Sequence, residues 1–473
     1  MPSRATIHFR ATPGAASRIF IFALLWIALS GLSVNAELWK RGLSGPAKAS
    51  ASGYAAAPNY KALKCSLYDR TYKQIKADLT LHRAMGTQLN ATQYISAQLG
   101  TKAVRGMTVG FFRGRAMLLT PLLDWPAYRH HARLHLTNMR TLLHVEKIFG
   151  RHIPDVAFVL TTSDTPYHVS ATLVNASHPT PPPGLLPSGR SRGPAFAPPP
   201  YPLLGIGKSD YWPDLLLVPN FHFHMKLYDN ATLGEIPKYA RIPWDERKPV
   251  LFGRFSPYHT HRHADDPSTL KLGLGGRAEV CDPADRNQTC PTREYFVERV
   301  ASKHPGRMNV ALAEMVPMAA HAEYKYLLNL EGQGISSRLE HILAMGSLVL
   351  KEASGYYAYY YRTLLQPGVN LLEFWPRGAG PEDVMRQLDW ARAHDGEAQR
   401  VAAAGVGTAR KYLTGSARTC YWYRLLHALG ATQAYAPSPR HWPQAVPLAQ
   451  VVRELEGRRE PWARALAGEP WAP

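Results

Sequence analysis

Cysteine is scarce in this chain: four in 473 residues, at Cys65, Cys281, Cys290 and Cys420. No two are spaced Cys-x-x-Cys, which argues against a zinc ribbon or a dithiol redox motif. No His-Glu-x-x-His stretch occurs, so the usual helical zinc-hydrolase signature is missing too. Acidic side chains are few, 35 against 55 basic ones, leaving a formal charge of +20. That excess favours anionic partners, whether nucleic acid, acidic glycan, membrane surface or phosphorylated ligand, without choosing among them. Long apolar runs are missing beyond one near the start, and no internal repeat is present.

The single run is "IFIFALLWIALSGLSV", Ile19 to Val34, preceded by Arg4, Arg10 and Arg18. With "VNA" behind it, this has the layout of a secretory signal peptide cut near Ala36, or of a short signal anchor. It is slightly short for a spanning helix, which needs roughly 18–20 residues. The expectation is a chain facing the lumen of the secretory pathway, in the endoplasmic reticulum or Golgi, or secreted. Four sequons agree with this: Asn90, Asn175, Asn230 and Asn287, each followed two residues on by Ser or Thr. An even cysteine count in an oxidising compartment implies two disulfides. Cys281 with Cys290 would close a short loop, and Cys65 with Cys420 would tie the start of the fold to its end.

Residues 37–64 read as a stem, rich in Ala, Gly and Ser. Helical periodicity runs from about 66 to 98 with a break near Gly86. "MTVGFFRGRAMLLT" reads as a hairpin turning at Arg113-Gly114. A basic helix is expected over 128–149, then a buried strand over 156–161. Residues 178–202 are too rich in Pro, Gly and Ser to pack, and read as an insertion. Further strands are expected at 248–256, in "MNVALAEM" and in "YKYLLNLE". Helices follow at 381–395, 397–413 and 417–429, and one short amphipathic helix near 447–458. Alternating strands and helices argue for an α/β protein with largely parallel sheets.

The most informative stretch is "YKYLLNLEGQGISSRLEHILAMGSLVL", from Tyr324 to Leu350. A strand runs into Gly332 and Gly334, which permit a sharp turn and close backbone approach. Ser337 and Glu340 have capping-box spacing, and Leu339, Ile342 and Leu343 form one helical face. Gly346 suits the helix end, and "SLVL" starts the next strand. A glycine turn feeding a helix N-terminus is an anion site. Arg338 lies in that first turn, where the helix dipole disfavours a cation, and a bound anion would reverse the penalty. No Gly-Lys-Ser/Thr follows this turn, so it is not a P-loop. Read from spacing alone, an ordinary βαβ turn with an exposed arginine remains open.

Taken together, "YKYLLNLEG…SSRLEHILAMGSLVLKE", "PDVAFVLTTSDTP", "PWDERKPVLFGRFS" and "ARTCYWYRLLHAL" resemble, in order, the segments of glycosyltransferase family 90. The resemblance covers roughly residues 65–428. It implies two Rossmann-like domains facing across a cleft, the GT-B arrangement, with 65–243 on the acceptor side and 244–430 binding a nucleotide sugar; 431–473 form a tail. It implies an inverting enzyme that moves glucose or xylose from a UDP-sugar to a hydroxyl of a glycoprotein or glycan. No metal and no cofactor beyond the donor would be needed. Asp164 matches the general base, and Gly332, Ser336, Ser337 and Arg338 match the donor-diphosphate turn. "FGRFS" departs from the family's Phe-Arg-Gly order, leaving Arg254 or Arg262 as the second phosphate arginine.

Two other readings stand beside this one. A relative that binds glycans or UDP-sugars without turnover would share the fold. A metalloenzyme could use His259, His261 and His263, alternate residues that share one face of a strand, joined by His222 and His224. Basic-aromatic stretches such as "YRHHARLHL" resemble nucleic-acid surfaces, but a lumenal leader argues against that partner. The expected chain is a monomer, touching membrane only through an N-terminal anchor.

Overall fold

In the computed structural model, residues 57–457 are described apart from 103–105, 121–124, 165–199, 211–214, 258–259, 264–265, 272–288, 315, 333 and 377–378. All described residues fall in one compact unit, 48–473. The leader, the stem, most of the proline-rich insertion, Asn175, Asn287, His259 and Cys281 lie outside them.

The first sheet grows from a hairpin. Strand β1 (Gly106–Phe112) turns into β2 (Arg115–Leu118) through Arg113 and Gly114. Both turn residues have positive φ, 51° and 77°, the pairing a two-residue hairpin requires. β1 also pairs antiparallel with β3 (Val156–Thr161). β3 continues in parallel to β4 (Leu203–Gly205), and β4 to β5 (Leu216–Leu217). Every residue of β1 and β3 is buried, as central strands covered on both faces should be.

The second sheet is parallel throughout. Its strands are β6 (Lys248–Phe255), β10 (Met308–Leu312), β11 (Tyr324–Asn329), β12 (Leu348–Glu352) and β13 (Leu372–Phe374). They stand in the order β10-β6-β11-β12-β13. A small antiparallel sheet holds β7 (Thr260–His263), β8 (Asp266–Lys271) and β9 (Thr289–Pro291). The fold is thus mixed α/β. The expectation of largely parallel sheets holds for the second sheet and fails for the first, where hairpin pairing sets the directions of β1 and β2.

Helices cover the sheets where the periodicity places them. They include α1 (Asp69–Asp78), α2 (Trp125–Phe149), α3 (Thr292–Arg299), α4 (Leu339–Ile342), α5 (Asp383–Ala393), α6 (Asp395–Tyr412), α7 (Gly415–Gly430) and α8 (Leu448–Gly457). The chain end returns to the first sheet: α7 packs on α1 and α2, and β14 (Val446–Pro447) pairs with β2. Cys65 and Cys420 form the disulfide expected between the start and end of the fold. It closes a separation of 355 residues, which in the chain-entropy view is worth about 6 kcal/mol. Among the described residues no helix is long and apolar enough to cross a membrane.

Candidate functional site

Six strands point their C-terminal ends at one cavity of about 300 Å³. Its wall takes Asp164 just past β3, Ile206 past β4 and Asn220 past β5. From the second sheet come Arg254 and Phe255 at the end of β6, Glu314 past β10, and the turn Gly332–Arg338 past β11. Carboxyl ends of parallel strands are where open α/β sheets bind ligands, because side chains from successive loops converge there.

Two glycines let the walls meet. A Cβ on Gly334 would lie 2.2 Å from the Asp164 carbonyl oxygen, so no larger residue fits without moving backbone. A Cβ on Gly207 would lie 2.8 Å from Ile335 Cγ2. The loop after β3 and the turn after β11 therefore touch directly, and Asp164 shares its cavity with Gly332, Ser336, Ser337 and Arg338.

The turn is anchored from below. Glu331 is buried, and its carboxylate accepts from the Ser336 amide and lies 3.3 Å from Lys351 Nζ. The Glu331 amide donates to Glu352 Oε2 at 3.1 Å. Burial, opposed by Lys351 and aided by Glu352, pushes the Glu331 carboxyl up to about 7.

The anion site differs from the expected one in its construction. Helix α4 is a single turn of four residues, with Arg338 at the N-cap and no side-chain capping bond. The expected Ser337–Glu340 capping box is absent. Glu340 instead turns inward, where Asn220 Nδ2 and the Tyr360 hydroxyl each donate to its carboxylate at 3.4 Å. A one-turn helix supplies little dipole, so positive charge at the turn comes from side chains.

Those side chains are Arg338 and Arg293. Both guanidinium carbons lie over the Phe255 ring, at 4.5 and 5.1 Å from its centre. Arg293 donates to the carbonyls of Ser256 (2.9 Å) and Leu330 (3.1 Å). Arg338 Nη1 is buried with no hydrogen-bond partner. Desolvation, with the like charge of Arg293 beside it, lowers the Arg338 pKa to about 9. Two cations held over one ring form a site that an anion would relieve.

Arg293 was not among the sequence candidates, although a signal was available. It sits in the first turn of α3, directly after Pro291 and Thr292, the same cation-at-an-N-terminus oddity that drew attention to Arg338. Arg254 also lines the cavity, but it is largely engaged elsewhere. Its guanidinium donates to the Asn309 carbonyl (2.8 Å) and side chain (2.7 Å), and its Nε lies 2.9 Å from Glu314. Arg262 is on β7, and its side chain lies outside the described residues. Lys226, His222 and His321 complete the wall, and sequence spacing singled out neither Lys226 nor His321.

The histidine cluster does not extend as expected. His222 and His224 sit on a helical turn, His222–Met225, not on a strand. His222 lines the main cavity, while His224 lines a smaller one with Thr141 and Trp422. His261 and His263 lie on β7. Asn90 and Asn230 are both exposed.

Comparison with known proteins points to one class: residues 280–465 match the model of glycosyl transferase family 90. The match starts beyond Asp164 and Arg254 and includes Arg293, the 332–338 turn and α7. Among particular relatives, protein O-glucosyltransferase 2 of Danio rerio is 33% identical over 138 residues, 29% of this chain and 27% of its own. Protein O-glucosyltransferase 3 of Mus musculus is 34% identical over 153 residues, 32% of this chain and 29% of its own. The O-glucosyltransferase rumi homolog of Aedes aegypti is 27% identical over 199 residues, 42% and 45% of the two chains. The chain thus matches less than half the length of these curated relatives.

Proposed function

We propose that this protein is an inverting glycosyltransferase that moves glucose or xylose from a UDP-sugar to a hydroxyl of a glycoprotein or glycan in the secretory lumen. The observation that carries this reading is that Asp164 and the Arg338–Arg293 pair line one cavity. A carboxylate and a cationic anion site, both lining one cavity of about 300 Å³, are the two parts a displacement at an anomeric carbon needs. In this reading the two lobes work as a GT-B pair, with the acceptor on the first-sheet side.

The Asp164 carboxylate takes the proton of the acceptor hydroxyl as its oxygen attacks the anomeric carbon. The bond from that carbon to the diphosphate oxygen breaks, and UDP departs with the electron pair. Arg338 and Arg293 offset the charge growing on the leaving diphosphate, for which planar guanidinium donors are suited. Ser336 and Ser337 would offer hydroxyl or amide donors to the same group. Arg254, tied to Asn309 and Glu314, holds the β6 end in place beside them. The names of the relatives support O-glucosyl transfer, and the disulfide and exposed sequons support the lumen.

The test is Asp164→Asn. Transfer, read as donor-dependent UDP release with an acceptor present, should fall by about 10²–10⁴-fold, while UDP binding survives. Turnover retained in that variant would sink the assignment of the base.

A further inference from the structure

His321 is presented to the cavity by the 3₁₀ turn Met318–Glu323 and is 3% exposed. Its ring is fixed on both sides. The Phe252 ring meets it edge to face at 4.9 Å, and Nδ1 lies 3.4 Å from the Pro317 carbonyl oxygen. A carbonyl only accepts, so Nδ1 carries the hydrogen and Nε2 carries the lone pair. That Nε2 is buried with no hydrogen-bond partner. Burial, with Arg338 as a nearby cation, lowers the ring pKa to about 4, so the imidazole is neutral at pH 7.

This makes His321 chemically unlike its neighbours. Arg338 and Arg254, the cations that bear on its ring, and Arg293 and Lys226 elsewhere on the wall can only donate. Phosphate oxygens would satisfy them and could not satisfy Nε2. What satisfies an acceptor set among cations is a hydroxyl, which donates to the nitrogen and accepts from a guanidinium at once. Arg338 Nη1, also buried without a hydrogen-bond partner on this wall, is a donor such a hydroxyl could meet. A buried acceptor left without a partner costs free energy, and at a ligand cavity that cost is recovered on binding.

We propose that His321 is a specificity-determining residue of the donor site, accepting a hydrogen bond from a hydroxyl on a ring adjoining the diphosphate. The proposal rests on the UDP-sugar reading above. Two rings adjoin a nucleotide-sugar diphosphate, the ribose and the transferred sugar, and both carry suitable hydroxyls.

Calorimetric titration of UDP and UDP-glucose into the wild-type protein, His321→Phe and His321→Gln tests this, with melting temperatures taken in parallel. Phe keeps the edge-to-face contact and removes the orphaned nitrogen, so His321→Phe should melt no lower than wild type. It should lose about tenfold in affinity, the worth of one hydrogen bond to a buried group. Gln, which keeps an acceptor, should recover part of the loss. Loss for both ligands places the hydroxyl on the ribose; loss for UDP-glucose alone places it on the transferred sugar. Should His321→Phe fail to fold, the deletion is made on the ligand: 2′,3′-dideoxy-UDP or UDP-2-deoxyglucose should bind wild type about tenfold more weakly than its parent. The proposal is overturned if His321→Phe, or both deoxy ligands with wild type, bind undiminished. It is also overturned if the affinity loss comes with a matching fall in melting temperature. Wild-type protein that binds neither UDP nor UDP-glucose overturns the donor reading, and this inference with it.

Discussion

Two clusters of charge flank the turn after β11, and they are built oppositely. Below it, Lys351 stands between Glu331 and Glu352, with its ammonium 3.3 Å from Glu331 and donating to the Glu352 carbonyl. Above it, Arg338 and Arg293 share the face of Phe255, and the like charge of Arg293 bears on Arg338. Opposite charges paired in the interior hold a loop in one shape. Like charges gathered in a cavity are a cost to the folded state, and such costs persist where a ligand repays them. Burial alone does not separate structural from functional charge; the sign of the neighbour does.

Substitutions should break this symmetry in order of size. Lys351→Met leaves the buried Glu331 carboxylate without its cation. It should lower unfolding stability by about 3–5 kcal/mol, measured by denaturant melts, with any loss of ligand binding following the loss of fold. Arg338→Met removes a repelled, partly desolvated cation, and its melting temperature should equal or exceed that of wild type. A clear fall there would mean that Arg338 is structural, like Lys351.

A further effect is a pH dependence. Burial lowers the pKa of His82, His144, His321 and His427 to about 4, and of His224 and His341 to about 3. The unfolded chain takes up protons near pH 6.5 while these rings stay neutral, so their contribution is lost as pH falls from 6.5 toward 4. Glu331 and Glu340, raised to about 7, act the other way: their contribution is full below about 4.5 and lost as pH rises through 7. Melting temperature should therefore rise from about pH 5 to about pH 7 and level off above it, because six histidines outweigh two glutamates over that interval. A melting temperature that keeps rising down to pH 5 would contradict this.

Much of the fold was legible in the sequence because local patterns and tertiary packing agree. β3 lies at 156–161 as its apolar run implies, and the hairpin turns at Arg113-Gly114. The capping box failed because Glu340 finds Asn220 and Tyr360 from distant segments, partners that no local spacing reveals. The mixed first sheet was missed because the pairing of β1 with β3 spans a whole helix, α2, between them. At the candidate site, family resemblance and a local electrostatic oddity pointed to Asp164 and the Gly332–Arg338 turn, which line one cavity. Arg293 shows the same oddity on α3 yet is set beside Arg338 only by the fold. His321 carries no signal in its own neighbourhood; its meaning comes from Pro317, Phe252 and the cations opposite.

The most direct measurement is a calorimetric titration of UDP into the wild-type protein and Arg338→Met, both checked for fold by thermal melting. If the like-charge cluster is the diphosphate site, wild type binds UDP and Arg338→Met loses about 10–100-fold in affinity, as for a charge-assisted bond, at an undiminished melting temperature. Equal affinity in the two proteins, or no UDP binding by wild type, would contradict it.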